Sequence, residues 1–339
     1  MKEALLYERT GDGRVRCGLC AHRCLISDGE RGICCVRENR GGQLVSLVYG
    51  RPIARDVDPI EKKPLFHFLP GTRAYSIATV GCNFRCLHCQ NHTISQYPRE
   101  QRGRLIGEEA SPGQIVYEAV QSGSKTIAYT YTEPTVFLEY ALDIARLARE
   151  ENLRNVFVSN GYMTPEAIET AAPWLDGINI DLKGITDDFY REVAGANLRP
   201  VLNAIERFVE AGVWVEVTTL IIPGLNDSPD ALHWTAEAIR GVSPAIPWHV
   251  SRFHPAYRLT DYPPTPIATL ETAARIGRAV GLRYVYLGNV PGEGEDTYCP
   301  ACGARVIKRI GLILRENRLR EGECPDCGTP MDGVWFTAE

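Results

Sequence analysis

Hydrophobic and polar positions change rhythm along the chain, and the middle has the clearest beat. Short apolar, β-branched runs recur there: YSIATV (75–80), TIAYTY (126–131), NVFVSN (155–160), INIDLK (178–183), WVEVTTLII (214–222), WHVSRF (248–253) and YVYLGN (284–289). Between most of them, apolar residues return every three or four positions, as in PTVFLEYALDIARLAREE (134–151) and RPVLNAIERFVEAG (199–212). That period predicts amphipathic helices, with others near 112–122, 164–172, 229–240 and 266–280. Strand, helix, strand in this order predicts right-handed βα units around a parallel sheet. Six or seven units suit a full or partial barrel better than a doubly wound sheet, although both put ligands at strand ends. The expectation is an α/β chain with a partial (β/α)6 barrel over 61–292. Polar residues collect where the strands run out, at Thr132-Glu133, Ser159-Asn160-Gly161, Asp181-Leu182-Lys183 and His254-Pro255.

The flanks lack this beat. Residues 1–60 read as an irregular, cysteine-rich module, and 293–339 as a second small cysteine-bearing module. Composition changes the picture only modestly. Of 339 residues, 44% are hydrophobic and 23% charged, and the net charge is −5. This is a folded, globular balance and not that of a general polyanion binder. No run of about eighteen apolar residues spans a bilayer, and the start has no apolar core of a signal peptide. A cytoplasmic protein without a membrane segment is expected.

Twelve cysteines matter more. Disulfides are rare in the cytosol, so short-spaced cysteines point to metal. They form three groups: Cys17, Cys20, Cys24, Cys34 and Cys35; Cys82, Cys86 and Cys89; and Cys299, Cys302, Cys324 and Cys327. The middle group lies in GCNFRCLHCQN (81–91), directly after a predicted strand. Structural zinc needs four protein ligands. Three thiolates can instead hold three irons of a [4Fe–4S] cluster and leave the fourth iron open. A zinc site completed from a distance, or free buried thiols, is the alternative.

The spacing Cys-x3-Cys-x2-Cys resembles the signature of radical S-adenosylmethionine (SAM) enzymes, with His88 in a slot that usually carries an aromatic residue. The resemblance implies that SAM chelates the open iron. It also implies that one electron cleaves SAM to a 5′-deoxyadenosyl radical, which takes a hydrogen atom from substrate. Thr132 and Glu133 match the family's Gly-Gly-Glu-type motif, with Glu133 placed for the SAM ammonium. They equally read as a helix start, with Thr132 as cap. Ser159 and Asn160 resemble the Thr-Asn-Gly stretch of glycyl-radical-enzyme activases, near the SAM carboxylate, or form a plain turn. Asp181 and Lys183 repeat the activases' Asp-Leu-Lys, or form only a rim salt bridge. His254 stands where an activase histidine meets the SAM ribose. Thr218 and Thr219 are further positions that can face the pocket.

Together these motifs resemble the branch near pyruvate formate-lyase activating enzyme. CGLCAHRCLISDGERGIC, PWHVSRFHP, VYLGNVPG and CPACG…CPDCG resemble, more narrowly, the radical SAM member of the AmmeMemoRadiSam group. That resemblance implies Memo-like and AMMECR1-like proteins as partners and a ferredoxin or flavodoxin as electron donor. One departure stands out: activases carry a cation-binding aspartate just before Thr-Asn-Gly, and here the residue is Val158. Hydrogen abstraction from an unidentified macromolecule or metabolite is therefore preferred over an activase, and both over a non-catalytic Fe–S or zinc protein that carries electrons or docks RNA.

The paired CPxCG knuckles at Cys299, Cys302, Cys324 and Cys327 resemble a zinc ribbon, although spacing does not separate zinc from a rubredoxin-like iron. Basic residues between them, in RVIKRIGLILRENRLR, offer contact to RNA or an acidic protein, or are a solvated face. Cys17, Cys20, Cys24 and Cys34 supply four ligands, for zinc or for an auxiliary Fe–S cluster.

Overall fold

The computed structural model describes residues 1–290, 292 and 294–336. Residues 293 and 337–339, at the edges of the expected C-terminal module, lie outside the described residues. Its centre is one eight-stranded sheet in strictly sequential order. We number its strands β1 (Ala54–Pro59), β2 (Arg73–Ala78), β3 (Thr126–Tyr129), β4 (Arg154–Ser159), β5 (Gly177–Asp181), β6 (Trp214–Ile221), β7 (Trp248–Arg252) and β8 (Val285–Gly288). β2 to β8 are parallel, and β1 runs antiparallel along β2. Neighbours in sequence are neighbours in space throughout, without the strand-order reversal of a doubly wound sheet. The sheet is thus an open, barrel-like array with six crossovers.

Six helices make those crossovers: α1 (Pro112–Gln121), α2 (Leu138–Glu150), α3 (Pro165–Ala171), α4 (Arg199–Glu210), α5 (Pro229–Val242) and α6 (Ile267–Val280). Three begin on a Ser/Thr-Pro pair. The hydroxyls of Ser111, Thr164 and Ser228 accept the amide hydrogens of Gln114, Ala167 and Ala231, and proline fills the first helical position, where no amide hydrogen is needed. α6 closes on Gly281 in the left-handed region. It lies so close to β7 that a Cβ on Gly277 would stand 2.9 Å from the buried Trp248 ring. Packing on both faces explains why β3 is buried at every position and reads as a continuous apolar run.

Two features of the flanks differ from the sequence expectation. Strand β1 belongs to the central sheet, although its residues fall inside the module expected at 1–60. Its sequence, ARDVDP, is polar and largely uncovered, as befits an edge strand. The rest of the first 50 residues is not irregular either, forming two small three-stranded sheets. At the other end, Thr297–Tyr298, Arg305–Ile310 and Ile313–Asn317 form an antiparallel sheet. Val306 and Ile307 pack there with Phe66, Tyr284 and Tyr286 in a separate small core. Among the described residues, no helix is long and apolar enough to cross a membrane.

Candidate active site

A cavity of about 590 Å³ opens at the carboxyl ends of the parallel strands, within the usual size of small-molecule sites. Cys82, Cys86 and Cys89 line it from the loop after β2, and Thr132 and Glu133 from the end of β3. Ser159 ends β4 and Asn160 follows it, and Asp181 ends β5 with Lys183 just beyond. His88 also lines it. His254 does not: it is exposed, past the end of β7, outside the lining. A different histidine of the same strand, His249, faces the cavity instead.

The cysteine loop is pinned from several sides. The amides of Arg85 and Leu87 donate to the carbonyls of Ala194 and Val193 at 2.8 and 2.9 Å. Arg258 donates its amide to the Leu87 carbonyl at 2.9 Å, and His22 Nε2 lies 2.9 Å from the Asn83 carbonyl. Asn160 Nδ2 donates to Asn83 Oδ1 at 2.7 Å. On the β3 side, Tyr131 adopts a left-handed φ of 61°, and its carbonyl accepts from Asn91 Nδ2 at 2.7 Å. That turn swings Thr132 and Glu133 towards the loop.

Glu133 is the hub of the wall. It is buried, and burial raises its pKa. Its Oε1 accepts from the Thr135 amide at 3.0 Å, Thr135 Oγ1 at 2.5 Å and Ser159 Oγ at 2.8 Å. Among the described residues, its Oε2 accepts only from the Asn160 amide, at 2.8 Å. One face of that oxygen therefore keeps acceptor capacity. The helix-start reading of Thr132 was partly right: Glu133, not Thr132, caps the segment Pro134–Phe137. Opposite, Lys183 Nζ donates to Asp181 Oδ2 at 3.0 Å. Burial opposes the Lys183 charge, but Asp181 and Cys86 outweigh it and raise its pKa.

Several observations bear on whether a cluster fits. Burial drives the Cys82 thiol up strongly and the Cys86 thiol to about 12, so a cation beside these two, as cluster iron would be, favours their thiolates. His88 is buried, and among the described residues both its ring nitrogens and Asn83 Nδ2 are unpartnered. Burial pushes His88 down to about 3, leaving it neutral. Sulfur spacing adds a third point. Among the described residues, Cys299, Cys302, Cys324 and Cys327 are the one group whose ligand atoms all lie within 4.8 Å. Thiolates on one tetrahedral ion stand about 3.8 Å apart, and those on separate corners of a four-iron cluster roughly 6 Å apart. The terminal quartet, with Sγ pairs at 3.6 and 3.7 Å, has single-ion spacing. The loop triad does not close to within 4.8 Å, which fits a cluster better than a single ion.

The sequence reading missed the buried polar cluster behind the cavity wall, which reaches the cavity through Phe66 and His249. Glu216 is fully buried and accepts from His249 Nε2 at 2.6 Å, Trp214 Nε1 at 3.0 Å and the amides of Phe66 and His67 at 3.0 and 2.8 Å. A glutamate inside the apolar run WVEVTTLII was the available signal. On another wall, Lys63 Nζ donates to Asp58 Oδ2 at 2.6 Å, and burial lowers its pKa to about 8. Thr218 lines the cavity, whereas Thr219 turns away to accept from Trp248 Nε1 at 2.9 Å. The C-terminal module contributes Glu295 and Leu312.

The profile of the radical SAM superfamily matches residues 76–234, which run from β2 into α5 and contain the cysteine loop and the β3–β5 rim. An uncharacterized protein of Methanocaldococcus jannaschii, MJ0808, is 47% identical over 98% of this chain and 100% of its own length. The chain belongs to the radical SAM superfamily. It is 23% identical to the pyruvate formate-lyase-activating enzyme of Clostridium pasteurianum, over 51% of this chain and 71% of that protein. A radical SAM methyltransferase structure from Sphaerobacter thermophilus superposes with a TM-score of 0.50 at 17% identity, covering 70% of this chain and 71% of that one. At that identity the likeness concerns the fold.

Proposed function

We propose that the protein is a radical SAM enzyme that cleaves SAM reductively and uses the radical to modify a macromolecular substrate. The observation that carries this reading is convergence: Cys82, Cys86, Cys89, Glu133, Asn160 and Lys183, from four separate segments, line one cavity. Cys82, Cys86 and Cys89 would each ligate one iron. Bound there, a [4Fe–4S] cluster and SAM supply one-electron cleavage and a 5′-deoxyadenosyl radical, the chemistry general to the superfamily.

The chain's own residues position and insulate. The free face of Glu133 Oε2 accepts from the SAM ammonium, a charge-assisted bond in a dry site. Ser159 and Asn160, already fixed on Glu133, border the SAM carboxylate. Lys183 adds positive charge beside Cys86, favouring its thiolate. Phe66, Phe84 and Leu220 line the same space and keep water from a radical. Neutral His88 fills the gap behind the loop without adding charge.

Lys62 and Asn289 share the lining with Leu312 of the terminal module, so three parts of the chain frame the entrance. Such a composite rim suits a protruding segment of a larger substrate. The activase reading is weaker, because Val158 lines the cavity where activases carry a carboxylate. We assign zinc to Cys299, Cys302, Cys324 and Cys327 on their single-ion spacing and ribbon-like knuckles. Memo-like and AMMECR1-like proteins enter as candidate partners through the sequence resemblance, and a ferredoxin or flavodoxin as donor. Electron paramagnetic resonance tests the core of this: the reduced, reconstituted protein should change its cluster signal on SAM addition, and a Cys82→Ala/Cys86→Ala/Cys89→Ala variant should lose that change. An unchanged signal in the intact protein would refute it.

A further inference from the structure

We infer that Cys17, Cys20, Cys24 and Cys34 hold a second four-iron cluster, which relays electrons to the one at Cys82, Cys86 and Cys89. The relay rests on the function proposed above, whereas the existence of the second site does not.

The four thiols are gathered by local structure. The Cys17 amide donates to the Cys24 carbonyl at 2.9 Å, and the Arg23 amide to the Cys20 carbonyl at 3.0 Å, folding 17–24 into a tight knuckle. Gly32, whose amide donates to the Arg37 carbonyl at 3.0 Å, turns the chain so that Cys34 returns to the group. A Cβ on Gly32 would stand 3.6 Å from the Cys24 sulfur, and Cys17 and Cys34 belong to one buried cluster against which Cys20 and Cys24 pack. They are neighbours, and yet they are not among the groups whose ligand atoms lie within 4.8 Å.

That spacing selects the metal. One zinc ion would draw four sulfurs to about 3.8 Å, as the terminal quartet displays at 3.6 and 3.7 Å. The N-terminal quartet, like the Cys82 loop, does not close to within 4.8 Å, and sulfurs on separate corners of a four-iron cluster do not close so far either. The same chain thus carries an internal standard for each geometry. A second observation concerns charge. Arg37 is 1% exposed and lies beside Cys17 and Cys34, whose charges favour its own. It forms a buried ion pair with Glu139 at 2.9 Å, and its Nε has no acceptor among the described residues. A guanidinium N–H left unmet beside two buried sulfurs is costly, and anionic cluster sulfur would satisfy it.

Position supplies the role. A Cβ on Gly81, the residue before Cys82, would stand 3.1 Å from the Cys34 carbonyl and 2.6 Å from Val36. Ala21 donates its amide to Tyr162, just past Asn160, at 3.2 Å, and His22 reaches the Asn83 carbonyl. The knuckle is therefore packed against the loop itself. Cys20 and Cys24 are half-buried and Cys17 and Cys34 buried, so the group runs from the surface inwards. One electron enters from a ferredoxin- or flavodoxin-class donor, which is oxidised by one. It passes through the quartet's cluster to the loop's cluster, and SAM is reduced by one on cleavage.

The test uses the whole chain, reconstituted anaerobically, with iron, sulfide and zinc counted. The wild type should hold about eight irons and one zinc, against about four irons and two zincs if the quartet binds zinc. The Cys82→Ala/Cys86→Ala/Cys89→Ala variant should keep about four irons, with a four-iron Mössbauer signature. Zinc in their place would overturn the assignment. A Cys20→Ser/Cys24→Ser variant should still change its resonance signal on adding SAM. Its reduction by reduced ferredoxin should slow at least about tenfold, while reduction by dithionite keeps its rate. Wild-type speed with ferredoxin would remove the relay. If instead the loop holds no cluster, the loop variant will match the wild type in iron and the Cys20→Ser/Cys24→Ser variant will hold none.

Discussion

Replacing Glu133 with glutamine separates what this side chain does for the fold from what it does for the ligand. Three donors converge on Oε1 and one on Oε2. A glutamine keeps its oxygen where three donors meet, which turns its NH2 towards the Asn160 amide. Two donors then face each other in a buried site. An unmet buried N–H costs about 1–3 kcal/mol, and the three remaining bonds lose their ionic character. We expect a total loss of about 2–4 kcal/mol and a fall in Tm of roughly 4–8 °C. SAM should lose one charge-assisted partner, about 2–3 kcal/mol, weakening binding by roughly 30- to 150-fold. The assays are thermal unfolding and equilibrium dialysis of SAM against anaerobically reconstituted protein. Thr135→Val is the matched control. It removes one donor to Oε1 while keeping the carboxylate charge, so it should cost about 1–2 kcal/mol of stability but leave SAM affinity within a few-fold. A folded Glu133→Gln protein that binds SAM as the wild type does would refute the role in ligand binding. Equal affinity losses in the two variants would mean that Glu133 acts only by holding the wall.

Other perturbations have equally definite outcomes. Arg309 reaches from the terminal module into the barrel, donating to the Phe66 carbonyl at 2.7 Å and lying 3.5 Å from the buried Glu61. Arg309→Ala should destabilise by about 3–5 kcal/mol, because the buried Glu61 loses its cationic partner. Arg309→Met/Glu61→Gln should recover part of this in denaturant titrations. Stripping metal from the terminal quartet with a strong chelator should unfold that module. Trp335, which packs beside His67 and donates to the Met331 carbonyl, should then shift its fluorescence to longer wavelength. Burial lowers His67 from 6.5 to about 4. The neutral form is favoured in the fold, so its contribution is intact above pH 6.5 and fades as pH falls towards 4, at most about 3 kcal/mol. His67→Gln should flatten the stability profile between those limits. A profile as steep as the wild type's would exclude His67 as the source.

Much of the core was legible because burial on both faces writes itself as continuous apolar runs. β3, β4 and β5 were readable on that ground, and so were the helices near 112–122, 164–172 and 229–240 from their apolar period. β1 was illegible for the complementary reason: an edge strand covered on one side needs few apolar residues, and ARDVDP looks like a loop. The rim residues were readable as a set because strand ends in such a fold converge, which brought Cys82, Glu133, Asn160 and Lys183 onto one cavity. His254 failed the same logic by position. The cavity-facing place on β7 belongs to His249, within the strand, and the chain has turned outwards by residue 254. Nor does sequence spacing fix sulfur separation in space. Cys-x2-Cys pairs at the C terminus close to single-ion spacing, while the first group, which begins with the similar Cys17-x2-Cys20, does not close as a whole to within 4.8 Å.

The most direct test of the central claim is product formation. The reconstituted protein, reduced anaerobically and given SAM, should release 5′-deoxyadenosine and methionine in equal amounts, detected by mass spectrometry. The Cys82→Ala/Cys86→Ala/Cys89→Ala variant should release neither above background. Product formed equally by the variant, or a fully loaded wild type that neither binds nor cleaves SAM, would contradict the account.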